Sequence, residues 1–193
     1  MPKILSPAFF DRPTVAVAKK LLGKCLARKY RRKIISLTIA EVEVYDGPHD
    51  LASHASHGRT PRTKIMFGDA GYFYVYFTYG MHWLVNVVTG PREYPAAILI
   101  RAGIYHDPET GREILIDGPA RLTKFLKITG AQNGKVAGEK TGLWFENRGV
   151  KIKNKDIVAG KRVGVDYAGP TWSSKKWNFR LRPKILTQIV PER

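Results

Sequence analysis

The sequence predicts an α+β fold, a single domain over residues 1–193 built on a mainly antiparallel sheet with a few flanking helices. Three observations predict it. Strand-like runs follow one another without intervening helices. Helical periodicity occurs in only two segments. The chain has 193 residues and 44% hydrophobic content, enough for one domain with a proper core.

The elements follow in order. Asp11 caps a short helix that starts near Pro13, with Val15, Ala18, Leu21 and Leu22 on one face and Gly23 as its stop. Residues 24–30 and 34–45 read as strands around the basic turn Arg31-Arg32-Lys33, and a polar loop runs to about Met66. Gly71–Thr78 and Trp83–Thr89 form a hairpin around Tyr79-Gly80, and Ala96–Ala102 is a third, buried strand. The connection 103–116 carries no clear pattern. Asp117 and Pro119 open a second helix bearing Leu122, Phe125, Leu126 and Ile128, closed by Gly130. Short strands at Leu143–Glu146, Lys161–Val165 and Trp177–Leu181 complete the chain.

Charge narrows the function. Thirty-three Lys and Arg against 16 Asp and Glu leave +17, a field that draws polyanions and speeds their encounter. Nucleic acid is the first candidate partner and an anionic membrane surface the second. Residues 65–100 carry only Arg92, so basic flanks frame an aromatic, weakly charged middle. No run approaches the ~18 apolar residues of a membrane span, and the start lacks the apolar core of a signal peptide. Cys25 stands alone, which fits a buried small hydrophobe in a reducing cytoplasm.

Four groups can carry chemistry. A period of two puts Ile35, Leu37, Ile39, Glu41, Glu43 and Tyr45 on one strand face. Carboxylates there suit a general acid or base, or else meet Lys and Arg as the strand leaves the core. His49, Asp50, His54 and His57, with Asp46 upstream, have a spacing that could hold zinc, serve as surface histidines, or place one His against a ligand. The hairpin 72–83 sets Phe73, Val75 and Phe77 against Tyr72, Tyr74 and Tyr76, with Tyr79 and Met81 at its tip. A tip of that kind can wedge into a minor groove, and the tyrosines can stack on bases or pack under a helix. Arg101 closes the apolar run 96–100, where it needs an anion such as Glu43 or a phosphate.

The segments resemble, in order, the alkyladenine (3-methyladenine) DNA glycosylase family. The matching blocks are Glu41-Val-Glu-Val-Tyr45 with Gly47-Pro48, Ala52-Ser-His54, and Gly58-Arg-Thr-Pro-Arg62 before Met66-Phe67. Tyr74-Val-Tyr76, Tyr79-Gly-Met81, Asn86-Val87 and Leu99-Ile-Arg101-Ala102 follow, then Gly118-Pro119, Arg162-Val-Gly-Val165 and Ala168-Gly169. The likeness runs from about Phe9 to about Pro183. Two departures stand out: Thr63 where the family usually has Asn, and Gly103-Ile-Tyr105 where it tends to Leu-Glu-Pro.

The resemblance implies a curved sheet with a protruding DNA-inserting hairpin. It implies Glu43 as general base with Arg101 holding the water and adjacent phosphate. Tyr45, His54, Tyr76 and Asn86 are then the residues for the extruded base. Tyr79 and Met81 enter the minor groove, and Arg59, Thr60 and Arg62 contact DNA. The reaction implied is hydrolysis of the N-glycosidic bond of alkylated or deaminated purines in duplex DNA, without metal or other cofactor; a monomer is the default expectation. His49 and His57 match no functional position. A nucleoid-associated cytoplasmic protein is implied for a bacterium or archaeon, and a nuclear one for a eukaryote. Two other readings of the residues stay open: a non-catalytic basic nucleic-acid-binding module, and a metal-dependent nuclease using His49, His54 and Asp50.

Overall fold

A computed structural model describes residues 2–186. The two-residue strand β1 (Lys3–Ile4), the one-turn helix α1 (Pro7–Phe10) and α2 (Thr14–Leu21) lead into β2 (Cys25–Tyr30) and the 14-residue β3 (Lys33–Asp46). After two 3₁₀ turns at His54–His57 and Lys64–Phe67 come the hairpin strands β4 (Phe73–Thr78) and β5 (His82–Val88), then β6 (Ala96–His106) and β7 (Glu113–Asp117). The chain continues through α3 (Pro119–Phe125), β8 (Leu143–Asn147), β9 (Ile157–Gly160), α4 (Gly169–Ser173), β10 (Asn178–Leu181) and α5 (Pro183–Leu186).

The strands join in the order β1-β8-β2-β3-β6-β5-β4, with β7 on β6 and β10 joining β3 to β9. Every paired strand among the described residues is antiparallel, so the α+β expectation holds. Strand β3 is the spine. Lys33–Thr38 pair with β2 and Glu41–Glu43 with β10, while β6 takes Thr38–Asp46. Between Ile39 and Val42 the β3–β6 register slips locally: Glu41 pairs with Ala102, and Ala40 and Arg101 have no partner in that ladder. Such irregularities re-aim side chains.

The main core gathers Val17, Leu21 and Leu26 with Leu37, Ile39, Val42 and Val44 of β3 and Leu122 and Leu126 around α3. Each fully buried Leu or Ile contributes about 1.5–3 kcal/mol relative to exposure. Two satellite clusters matter more for function. One packs Ala55, Met66 and Tyr74 with Val88 and Ala97, and the other packs Ala52 with Val165 and Ala168. They fix the loops that wall the site described below.

Several sequence expectations change. Helix α2 starts at Thr14 with Pro13 extended at ψ 125°, and Asp11 does not cap it. The Asp11 N–H instead closes α1 on the Pro7 carbonyl. Helix α3 stops at Phe125, short of Gly130, because Lys127 takes a left-handed φ of 55°. Asp117 ends β7, and Gly118 at φ 102° precedes the helix. The unassigned connection 103–116 is a hairpin. Strand β6 runs on to His106, and the Asp107 carboxylate accepts from the Glu109 N–H and the Thr110 hydroxyl in the turn to β7. Gly103 is required there, since a Cβ would lie 2.9 Å from the Leu37 Cβ. The strand expected at Lys161–Val165 lies instead at Ile157–Gly160, paired with β10. Residues 161–165 leave the ladder because their polar groups are committed elsewhere.

Candidate active site

The commitment is to Glu43. Its side chain is fully buried on β3, and four donors converge on it. Oε1 accepts from the Val163 N–H at 2.8 Å and from Asn178 Nδ2 at 3.1 Å. Oε2 accepts from the Tyr45 hydroxyl at 3.1 Å and from Arg101 Nη1 at 3.2 Å. Burying a carboxylate is costly unless it is paired and hydrogen-bonded, and this one is both. Arg101 also donates through Nε to Glu41 at 3.0 Å, and Asn178 Nδ2 reaches the same Glu41 oxygen at 2.6 Å. One guanidinium and one amide therefore join two carboxylates, leaving a net negative charge. Glu41, Glu43 and Tyr45 share a face, but not the one the period of two assigns to Leu37 and Ile39. The slip at Ala40 reverses the alternation, so that Leu37 and Ile39 join Val42 and Val44 in the main core and the carboxylates face away from it.

Beside this network opens a cavity of about 330 Å³, near the lower end for small-molecule sites. Tyr45, Arg101 and Val163 line it, and Glu43 sits one layer behind them. His54, Tyr74, Tyr76, Asn86 and Met66 also line it. The His54 and Tyr76 rings meet edge-on with centroids 4.7 Å apart, and His54 Nδ1 pairs with the Tyr74 hydroxyl at 3.0 Å. Asn86 Nδ2 donates to the Tyr74 carbonyl at 3.0 Å. Burial, then the Arg62 charge, lowers the His54 pKa from 6.5 to about 4. Burial first, and the Glu43 charge second, push the Tyr45 hydroxyl well above its ordinary range. Both side chains therefore face the cavity neutral.

The hairpin tip stands at the cavity rim. Tyr79 is 86% exposed and takes φ 51°, the left-handed region, followed by Gly80 at φ 66°. Met81 beside it is 68% exposed, and its N–H donates to the Thr78 carbonyl across the turn. Around the rim, the Arg62 guanidinium lies 4.9 Å above the Tyr76 ring. Arg59 pairs with Glu93 and covers Phe67 at 4.9 Å. Thr60 and Thr63 exchange backbone and hydroxyl hydrogen bonds, and the buried Thr63 hydroxyl also donates to the Gly58 carbonyl. Thr63 thus folds its own loop. Of the site residues expected from sequence, Tyr45, His54, Tyr76, Tyr79, Asn86 and Arg101 line this cavity, and Glu43 lies behind its wall. Arg62 covers Tyr76, and Met81 lines a separate depression with His82 and Trp83, while Arg59 and Thr60 are not among the lining residues.

Sequence reasoning missed the groups supplied by the last third of the chain. Val163 and Asn178 bind Glu43 directly. Arg162, buried with its side chain fully inaccessible, forms a two-pronged ion pair with the equally buried Asp50 at 2.5 and 2.8 Å. Arg162 also donates to the Val44 and Trp172 carbonyls and lies 5.0 Å from the centre of the Tyr45 ring. Tyr167 ties the same loop to the 52–54 segment by donating to the Ala52 carbonyl at 3.0 Å. The signal was the block 162–165, whose positive-φ Gly164 suits a loop better than a strand. Asp50, expected as a metal ligand in the nuclease reading, is occupied by Arg162, and His54 by Tyr74. Among the described residues no three His, Cys, Asp or Glu side chains are placed to hold an ion. The ligand set of that reading is not assembled.

Known proteins with the same pattern exist. Residues 8–184 match the model of the methylpurine-DNA glycosylase family. The chain is 41% identical over 189 residues to a protein of Methanocella arvoryzae, with 91% of each chain covered. It is 39% identical to one of Psychrobacter cryohalolentis over 92% of this chain and 90% of that one. A protein of an Anaeromyxobacter strain is 41% identical over 97% and 93% of the two chains. All three carry the name of a 3-methyladenine DNA glycosylase. A family match spanning nearly the whole chain, and including the segments that build the Glu43 network, settles the matter: this chain belongs to the methylpurine-DNA glycosylases and is a DNA glycosylase.

Proposed function

We propose that the chain releases alkylated or deaminated purines from duplex DNA, the class that includes 3-methyladenine, 7-methylguanine, hypoxanthine and ethenoadenine. The observation that carries the reading is the buried Glu43 carboxylate held by four donors directly behind an aromatic cavity. Because all its neighbours donate, the form they complement is the carboxylate.

The lesion rotates out of the helix into the slot between Tyr45, His54 and Tyr76, and a damaged pair costs less to open. Tyr79 and Met81 occupy the gap from the minor groove. A purine alkylated at N3 or N7 is cationic, and the electron-rich rings attract it by about 0.5–2 kcal/mol. As the C1′–N bond breaks, the purine takes the bonding pair and the sugar becomes oxocarbenium-like. The net negative charge of Glu41, Glu43 and Arg101 stabilises that cation. Water then bonds C1′ and its proton passes to Glu43. In the resting arrangement Tyr45 and Arg101 cover Oε2, so water reaches it by displacing one of those hydrogen bonds, and Arg101 steadies the oxygen. Arg59, Thr60 and Arg62 face the DNA beside the slot, and Asn86 presents its carbonyl oxygen to the base. With water as nucleophile, the product is an abasic site and the strand stays intact.

The test is release of free base from duplexes carrying hypoxanthine or a methylated purine, in EDTA. Base release without strand cleavage is expected. Binding alone would leave only a nucleic-acid-binding module, and EDTA-sensitive backbone cleavage would reinstate a nuclease.

A further inference from the structure

A second concave surface lies away from the candidate active site. It is a groove of about 650 Å³ between the N-terminal segment, α2 and the loop after β8, and it shares no lining residue with the aromatic cavity. Lys3, Arg12, Lys19, Lys20, Lys24 and Lys151 line it, with no Asp or Glu among the lining residues. Among the described residues, none of these six cations is in an ion pair with a carboxylate. The polar partner of Lys24 is the neutral Asn147, at 2.8 Å, and burial lowers its pKa. Five of the six are exposed, with Lys24 half-buried, whereas the apolar floor residues Leu22, Phe9 and Ile152 are packed into the core.

That combination decides the ligand class. An acidic amphipathic peptide would need a broad run of exposed apolar side chains, whereas the exposed apolar lining residues here are only Ile4 and Ala8. What it offers is several uncompensated positive charges in one depression, which fits a regular polyanion held by its phosphates. Its place in the sheet separates it from the hairpin. Strand β1 borders the groove and β4 carries the hairpin, at opposite ends of the seven-strand path. Six strand spacings amount to roughly 29 Å along the sheet.

We propose that this groove holds the backbone of a second duplex segment while the first occupies the aromatic cavity, so that one protein contacts two stretches of DNA at once. The binding is independent of sequence and damage, and it is governed by salt. For six phosphate contacts, affinity falls about 10³-fold between 50 and 200 mM salt.

The test uses the full chain with two short duplexes. One carries an abasic-site analogue and a donor dye, and the other is undamaged and carries an acceptor. Energy transfer between them requires a complex with both. The wild-type protein should show transfer that declines steeply with salt. Lys19→Glu/Lys20→Glu/Lys151→Glu, and separately Lys3→Glu/Arg12→Glu, should weaken capture of the undamaged duplex at least tenfold. Base release at saturating enzyme should stay within twofold of wild type in both variants. Absence of transfer with the wild-type protein would overturn the proposal, as would unchanged transfer in both variants, or loss of transfer matched by loss of base release. So would tighter capture of a polyglutamate peptide of equal charge. If the wild-type protein released no base at all, the lesion reading would fall while the energy-transfer result stood by itself.

Discussion

The Tyr45 hydroxyl donates to Glu43 Oε2 at 3.1 Å, and the Tyr45 ring lines the cavity that Glu43 does not itself reach. The pair makes Tyr45 both a wall of the slot and a cover over the carboxylate. In the proposed reaction, an extruded base pressing on the ring would act on the hydrogen bond that shields Glu43.

Replacing Glu43 by Gln keeps the shape and removes the proton acceptor. General-base catalysis supplies about 10²–10⁴-fold, so single-turnover base release should fall by at least that much while affinity for lesion DNA changes little. Near-normal release would reject the assignment.

Asn178 holds one oxygen of Glu43 and one of Glu41 through the same nitrogen. Asn178→Ala leaves both carboxylates short of a donor, at a cost of about 1.5–3 kcal/mol for hydrogen bonds to charged groups. Single-turnover release should slow by tenfold or more with the dissociation constant for lesion DNA unchanged. A variant that melted earlier yet turned over normally would make the residue purely structural.

Tyr79 sits in a left-handed turn that costs a non-glycine residue about 1–2 kcal/mol. Tyr79→Gly should leave thermal stability unchanged or higher, because glycine accepts that backbone freely. It should nevertheless weaken lesion binding by the ~1–3 kcal/mol of a stacking contact. Parallel loss of both, or no loss of binding, would remove Tyr79 from the DNA interface.

His54 is held neutral by burial and by Arg62. Its folded-state pKa of about 4 lies below the ordinary 6.5, so the unfolded chain binds more protons between those values. Its contribution to stability is thus complete above pH 6.5 and is lost as pH falls towards 4. An NMR titration of the ring should give a midpoint near pH 4, moving upward in Arg62→Gln. A midpoint near 6.5 would mean that the imidazole is not desolvated.

The buried Asp50–Arg162 pair should tolerate neither single replacement. Asp50→Asn leaves an uncompensated guanidinium, and breaking such pairs costs about 3–5 kcal/mol. The melting temperature should drop, and base release with it, because Arg162 adjoins Val163 and packs on Tyr45. A stable, fully active variant would show the loop to be held by other contacts.

The sequence carried much of this. Alternation alone placed Glu41, Glu43 and Tyr45 together, and the buried run before Arg101 required an anion, which proved to be both carboxylates. The hairpin tip was legible from Tyr79-Gly80 between two strand-like runs. What stayed hidden has a common cause. Val163 contributes a backbone N–H, a group every residue but proline possesses, so its type is silent. Asn178 and Arg162 act across long sequence separations, and no local period reports such pairing. Lys127 broke a helix whose apolar spacing continued to Ile128, because backbone conformation there follows tertiary packing rather than pattern.

The separations have a temporal meaning. Glu43 is 58 residues from Arg101, 120 from Val163 and 135 from Asn178. During synthesis the carboxylate emerges well before its last partner, which follows 135 residues later. A nascent or prematurely terminated chain lacking residue 178 cannot finish the constellation. The four-donor setting of Glu43 is thereby withheld from any fragment that stops short of residue 178.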